Sequence, residues 1–103
     1  MNEMETIIFG MISHVGSARS SYLEGLRAAR TGDFTEAESK IEEGNESLKT
    51  GHSVHHQLIQ KEASGEKVEI QLLLVHAEDL LITTETLREV VIEFVNVYKR
   101  MEK

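Results

Sequence analysis

Leu72 to Ile82 reads LLLVHAEDLLI, a near-continuous apolar run with one histidine, His76, and one acidic pair, Glu78 and Asp79, set inside it. At helical spacing His76 and Asp79 stand at i and i+3 and share a face with Leu72, Leu73 and Thr83. Two ionisable groups therefore fall within an apolar stripe. Burying such groups costs free energy unless they gain partners or perform chemistry, so this stretch carries the most information about function.

The same spacing continues outward from the run and predicts a third helix over about 67–101. It carries two apolar stripes. One passes through Leu73, Ala77, Leu80, Leu87, Val91, Phe94 and Tyr98; the other passes through Leu72, His76, Asp79, Thr83, Val90 and Val97. One apolar side is enough to pack a helix inside its own subunit, and a second needs something else to cover it, for which self-association is the economical answer. Lys99, Arg100 and Lys103 place positive charge at the carboxyl end, where the helix dipole favours it.

Upstream, Met4, Ile8, Met11, Val15, Ala18, Tyr22, Leu26 and Ala29 recur in steps of three and four and predict a helix over about 3–30. Gly10, Gly16 and Gly25 weaken it, by about 1 kcal/mol each relative to alanine, so packing must supply the difference. Thr31-Gly32 ends it, and Asp33 with Glu36 three residues on forms a capping-box pattern for a second helix over about 34–63. The seam of that helix runs Phe34, Ala37, Ile41, Gly44, Leu48, Gly51, His55, Leu58, until Ser64-Gly65 breaks it. Short connections make neighbours antiparallel, so the expected fold is all-α: a single 1–103 domain folded as an up-down-up three-helix bundle.

The chain has 103 residues, no cysteine, proline or tryptophan, and a formal net charge of −7. Disulfides and thiol chemistry are thereby removed, and a general nucleic-acid binder is disfavoured because phosphate backbones are held by clustered Lys and Arg, which are scattered here. No run approaches the roughly 18 apolar residues of a membrane span, and the segment MNEMETIIFG is acidic where a signal peptide is basic. A cytoplasmic location is expected.

Four other histidines compete with His76 for chemistry. His52 and His56 stand at i and i+4, the spacing with which one helix face holds a metal, but the HExxH pattern is absent and there is no cysteine. They read as surface or hydrogen-bonded residues, His55 as a satisfied seam residue, and His14 as a lone surface group. For His76 itself, composition leaves both a structural and a chemical role open, and the carboxylate of Asp79 one turn away is suited to orient the imidazole. Where several chains meet on an axis, the same carboxylates would come together and need protons or a cation to neutralise them.

The segments ARSSYLEGLRAARTGDFTEAE (18–38) and GHSVHHQLIQKEASGEKVEIQLLLVHAEDLLITT (51–84) resemble the lactose/cellobiose-type enzyme IIA family of the bacterial phosphoenolpyruvate-dependent sugar phosphotransferase system. The resemblance spans nearly the whole chain. It implies a homotrimer of three-helix subunits, a nine-helix bundle with the third helices near the axis. It implies that His76 is phosphorylated by the phosphocarrier protein HPr and passes the phosphoryl group to a cysteine of a IIB partner during disaccharide uptake. It further implies that Asp79 points to the trimer axis and binds a divalent cation such as Mg. Two positions depart from the family pattern: Glu78 stands in place of a glutamine and Leu80 in place of a second histidine, residues that the resemblance puts beside the phosphoryl group as hydrogen-bond donors. His55 and His56 likewise replace a glutamine and a threonine, and either is a candidate for a donor supplied across a subunit interface. The contrasting expectation is a non-catalytic trimeric helical adaptor in which the altered pocket no longer holds phosphate.

Overall fold

The computed structural model describes residues 1–102. Three helices make up the described residues, α1 (Glu3–Arg30), α2 (Phe34–Ala63) and α3 (Leu72–Met101). The limits of α1 and α2 are those expected from the capping and glycine signals. Asn2 caps α1 by accepting the Glu5 backbone N–H at 2.8 Å, and Asp33 caps α2 by accepting that of Glu36 at 3.1 Å. Gly32 and Gly65 sit at φ of 86° and 93°, the left-handed conformation that closes a helix at little cost only for glycine. Backbone N–H groups just beyond them turn back onto Ala28 and Lys61 carbonyls.

The third helix begins later than expected, at Leu72 instead of about residue 67. Between Gly65 and Leu72 the chain offers no Ser, Thr, Asp or Asn to cap an earlier start, and Gln71 at the N-cap makes no side-chain cap bond. The alternating Val68 and Ile70 suit an extended connection: Val68 packs against the core while Ile70 stands out in solvent. Of the three basic residues expected at the carboxyl end, Lys99 and Arg100 lie in the last turn of α3, and Lys103 lies outside the described residues.

The helices run antiparallel in sequence. Tyr22 meets Asn45 and Glu24 meets Lys40 between α1 and α2, while Glu38 meets Lys99 and His55 meets Glu78 between α2 and α3. The result is an up-down-up bundle 56 Å long and 24 by 19 Å across. Its core is supplied by Ile8, Met11, Val15, Ala18 and Tyr22 of α1, Ala37, Leu48 and Leu58 of α2, and Ala77, Leu81, Val91 and Val95 of α3. Gly44 and Gly51 let α1 come close to α2, since a Cβ at either would stand 2.5 Å from Tyr22 or Val15 side-chain carbons. Gly10 and Gly16, by contrast, face open space.

The inward seam of α3 differs from both expected stripes. It runs Leu74, Ala77, Leu81, Thr84, Val91, Val95, so only Ala77 and Val91 of the first stripe are buried, and Leu73, Leu80, Leu87 and Tyr98 flank the core. The second stripe faces outward, with Leu72, Val90 and Val97 exposed. A helix apolar on most of its circumference offers several rows at equal spacing, and which one turns inward is set by the helices it packs against and not by α3 itself.

Candidate functional site

His76 and Asp79 both lie on the outward side of α3 and are exposed. They are therefore not the buried ionisable groups that the apolar run suggested; the stripe containing them is the face this chain leaves open. At 100° per residue, Leu72, Asp79, Thr86, Val90 and Val97 run along the middle of that face. His76, Thr83 and Phe94 line one edge of it, and Val75, Ile82 and, further round, Glu78 and Glu85 line the other. His76 has no hydrogen-bond or ion-pair partner among the described residues, so its ring nitrogens are open to solvent or to a partner. The Thr83 hydroxyl is turned back onto the carbonyl of Asp79 at 2.9 Å. Leu80 packs at the margin of the core.

Along the opposite edge, α2 and α3 are tied by a line of polar contacts. Glu38 accepts from Lys99 at 2.6 Å, and Asn45 accepts from Arg88 at 2.7 Å while also accepting from the buried Tyr22 hydroxyl at 2.8 Å. His52 Nε2 meets Glu85 at 3.2 Å, and His55 Nδ1 meets Glu78 Oε2 at 2.6 Å. The last pair is half-buried and borders an apolar groove of about 380 Å³ formed by Leu58, Ile59, Val68, Ile70, Leu74 and Val75. A carboxylate on Nδ1 fixes the ring orientation and leaves Nε2 as the nitrogen available to a third group.

His55 is thus the satisfied seam residue expected from its position, and His52 is an exposed surface residue lying against Glu85. His56 and His14 are exposed. The pairing of Glu78 with His55 was not foreseen, although the recurrence of Glu38, Asn45 and His52 every seven residues along α2 is a visible sign of a polar row. No group of three or more His, Cys, Asp or Glu side chains that could hold a metal exists among the described residues. One subunit thus gives no support to a metal-binding chain: a carboxylate oxygen suits a hard divalent cation, but Asp79 stands alone, and His52 lies against Glu85 instead of sharing a site with His56. No helix among the described residues is long and apolar enough to cross a membrane.

Comparison with known proteins gives a consistent picture. The sequence pattern of the PTS system, Lactose/Cellobiose specific IIA subunit, matches residues 6–99. The lichenan-specific phosphotransferase enzyme IIA component of Bacillus subtilis (strain 168) is 42% identical over 99 residues, covering 96% of this chain and 90% of the relative. The crystal structure of the PTS cellobiose specific enzyme IIA from Bacillus anthracis superposes with a TM-score of 0.95 at 39% identity, covering 99% of this chain and 94% of that one. The IIA(Chitobiose) chain in its solution complex with HPr, from the N,N'-diacetylchitobiose branch of the Escherichia coli phosphotransferase system, superposes at 0.85 with 30% identity, covering 100% of both chains.

Proposed function

The chain belongs to the lactose/cellobiose-specific IIA family of the phosphotransferase system, and from that premise we propose that His76 is its phosphoryl-carrying residue, taking phosphate from HPr and passing it to a cysteine of a IIB partner during disaccharide uptake in the cytoplasm. The observation that carries this reading is the placement of His76: an exposed imidazole, without a partner among the described residues, at the edge of an apolar face on α3. The E. coli relative solved in complex with HPr supports the choice of donor. The adaptor reading is not favoured by this membership.

The chemistry asks little of the protein beyond position. The lone pair of a neutral His76 ring nitrogen forms a bond to phosphorus as the donor's own bond to phosphorus breaks, and that bond's electron pair stays with the donor. Transfer onward reverses the roles, the P–N electrons returning to His76 as the cysteine sulfur takes the phosphoryl group. An exposed nitrogen is required because a macromolecular donor must reach it in line.

The open face of α3 fits a homotrimer with the third helices at the axis, a nine-helix bundle. Leu72, Val75, Ile82, Val90, Phe94 and Val97 are all exposed large apolar residues on this face, which a single copy leaves in water. On the same reading, three copies of Asp79 come together, and a divalent cation such as Mg held by them would neutralise their charge.

Incubating the protein with phosphoenolpyruvate, enzyme I and HPr tests the proposal. Intact mass should rise by one phosphoryl group per chain, and His76→Ala should abolish the gain. Full phosphorylation of the alanine variant, or none of the unmodified chain, overturns it.

A further inference from the structure

We propose that Asp79 keeps the phosphoryl group on His76 at a high transfer potential, its free carboxylate repelling the group so that it is passed on instead of retained. The inference rests on the reading of His76 as phosphoryl acceptor and deepens it. His76 and Asp79 stand three residues apart on the open face of α3, about 4.5 Å along the helix axis, and both are exposed. Positions i and i+3 are neighbours on a helix surface, where like charges repel.

Three carboxylates lie in the first four turns of α3, and they are not equivalent. Glu78 is held by His55 at 2.6 Å and Glu85 lies against His52 at 3.2 Å, both across the seam with α2. The Asp79 carboxylate has no hydrogen-bond or ion-pair partner among the described residues. The same stretch also lacks anything to answer a phosphoryl charge. No Lys or Arg occurs between Leu72 and Leu87. The Thr83 and Thr86 hydroxyls donate to the carbonyls of Asp79 and Ile82, and Thr84 is buried in the core. A phosphoryl group carries roughly two negative charges. On His76 it meets one free carboxylate, and no cation or free side-chain donor from its own helix.

The consequence is one of equilibrium. As the group moves to His76, the ring nitrogen's lone pair forms the P–N bond and the donor's bond to phosphorus breaks, its electron pair staying with the donor. No bond or proton at Asp79 changes. The repulsion exists only in the phosphorylated state and raises the free energy of that state alone. It therefore draws the first transfer back towards HPr and favours delivery to the IIB cysteine by the same amount. Neighbouring side chains of a helix lie within the screening length of about 8 Å at physiological salt, so the effect persists under those conditions and fades as salt rises.

Purified phospho-HPr is equilibrated with the full-length chain in chelator-containing buffer, so that no divalent cation masks the carboxylate, and intact masses give the equilibrium constant. Asp79→Asn should shift it towards the phosphorylated chain by about two- to fivefold. The gain should shrink at roughly 1 M salt, where the screening length falls to about 3 Å. Asp79→Glu keeps the charge and should match the unmodified chain. So should Glu85→Gln, which removes one charge from the seam side of α3. A variant that only disturbed the fold would slow transfer in both directions without this pattern of charge and salt. An equilibrium unchanged in Asp79→Asn, an equal shift in Asp79→Glu or Glu85→Gln, or a shift that high salt does not reduce overturns the proposal. Phosphorylation of the His76→Ala chain, or none of the unmodified chain, instead overturns the assignment of the acceptor.

Discussion

A Cβ at position 44 would fall 2.5 Å from Cε1 of Tyr22, and that ring is wholly buried between the helices. The ring cannot swing aside freely, because its hydroxyl donates to Asn45, which also receives Arg88 from α3. Gly44→Ala is therefore expected to destabilise the fold by about 1–3 kcal/mol, read as a lowered urea midpoint at fixed protein concentration. Tyr22 also gives a pH signature. Burial pushes its phenol above the ordinary value of 10.0, with the nearby Arg88 acting in the opposite direction. A group whose folded value is raised contributes stability that is complete below its unfolded value and is lost as pH rises through the folded one. Thermal stability should accordingly fall in the alkaline range above about pH 10, and Tyr22→Phe should flatten that fall while removing one hydrogen bond at neutral pH. An alkaline fall as steep in the phenylalanine variant as in the unmodified chain would contradict this. The exposed pair Lys99–Glu38 is a contrasting case: despite its 2.6 Å separation, Glu38→Ala should change stability by less than about 1 kcal/mol.

At the scale of the helix, the proposed trimer depends on the outward row of α3. Leu72→Lys and Val97→Lys should each weaken or abolish the proposed trimer by placing a charge in the face it covers, whereas Asp79→Leu should preserve or strengthen it by removing the like charges that this arrangement brings together at its axis. Sedimentation of the three variants checks the contrast; a lysine at position 97 that leaves the assembly intact would mean the face is not buried there. The two earlier helices were legible in the chain because their apolar seams are single and their ends carry chemical signals, Asp33 and Glu36 at one end and Gly32 and Gly65 at others. The start of α3 was less legible, since the alternation of Val68 and Ile70 continues the apolar run without any capping residue. Its inward row is hidden for a related reason: Leu72, Leu73 and Leu74 offer three rows with helical spacing, and only the surfaces of α1 and α2 choose between them. The His55–Glu78 contact joins residues 23 positions apart, and no local pattern announces the register of α2 on α3 that creates it.

At the scale of the whole molecule, the bundle is a rod whose open apolar α3 face contains its candidate chemistry. The fold was legible as an all-α three-helix bundle, and the match over residues 6–99 to the IIA family agrees with the resemblance read from residues 18–38 and 51–84. On the proposed trimer, which residue carries the phosphoryl group depends on the assembly as much as on the chain, because accessibility to a protein donor is a property of the surface left after the α3 face is covered. Light scattering should give a mass of about three chains at micromolar concentration, the expectation for the proposed closed cyclic assembly; a monomer would overturn that arrangement. The chain contains five histidines, and the proposed phosphoryl transfer uses one of them. Fragmentation mass spectrometry of the protein phosphorylated by HPr, performed without acid to preserve the labile P–N bond, locates the group directly. Phosphate is expected on the peptide containing His76 and on no other; phosphate on His14, His52, His55 or His56 would overturn the assignment of His76.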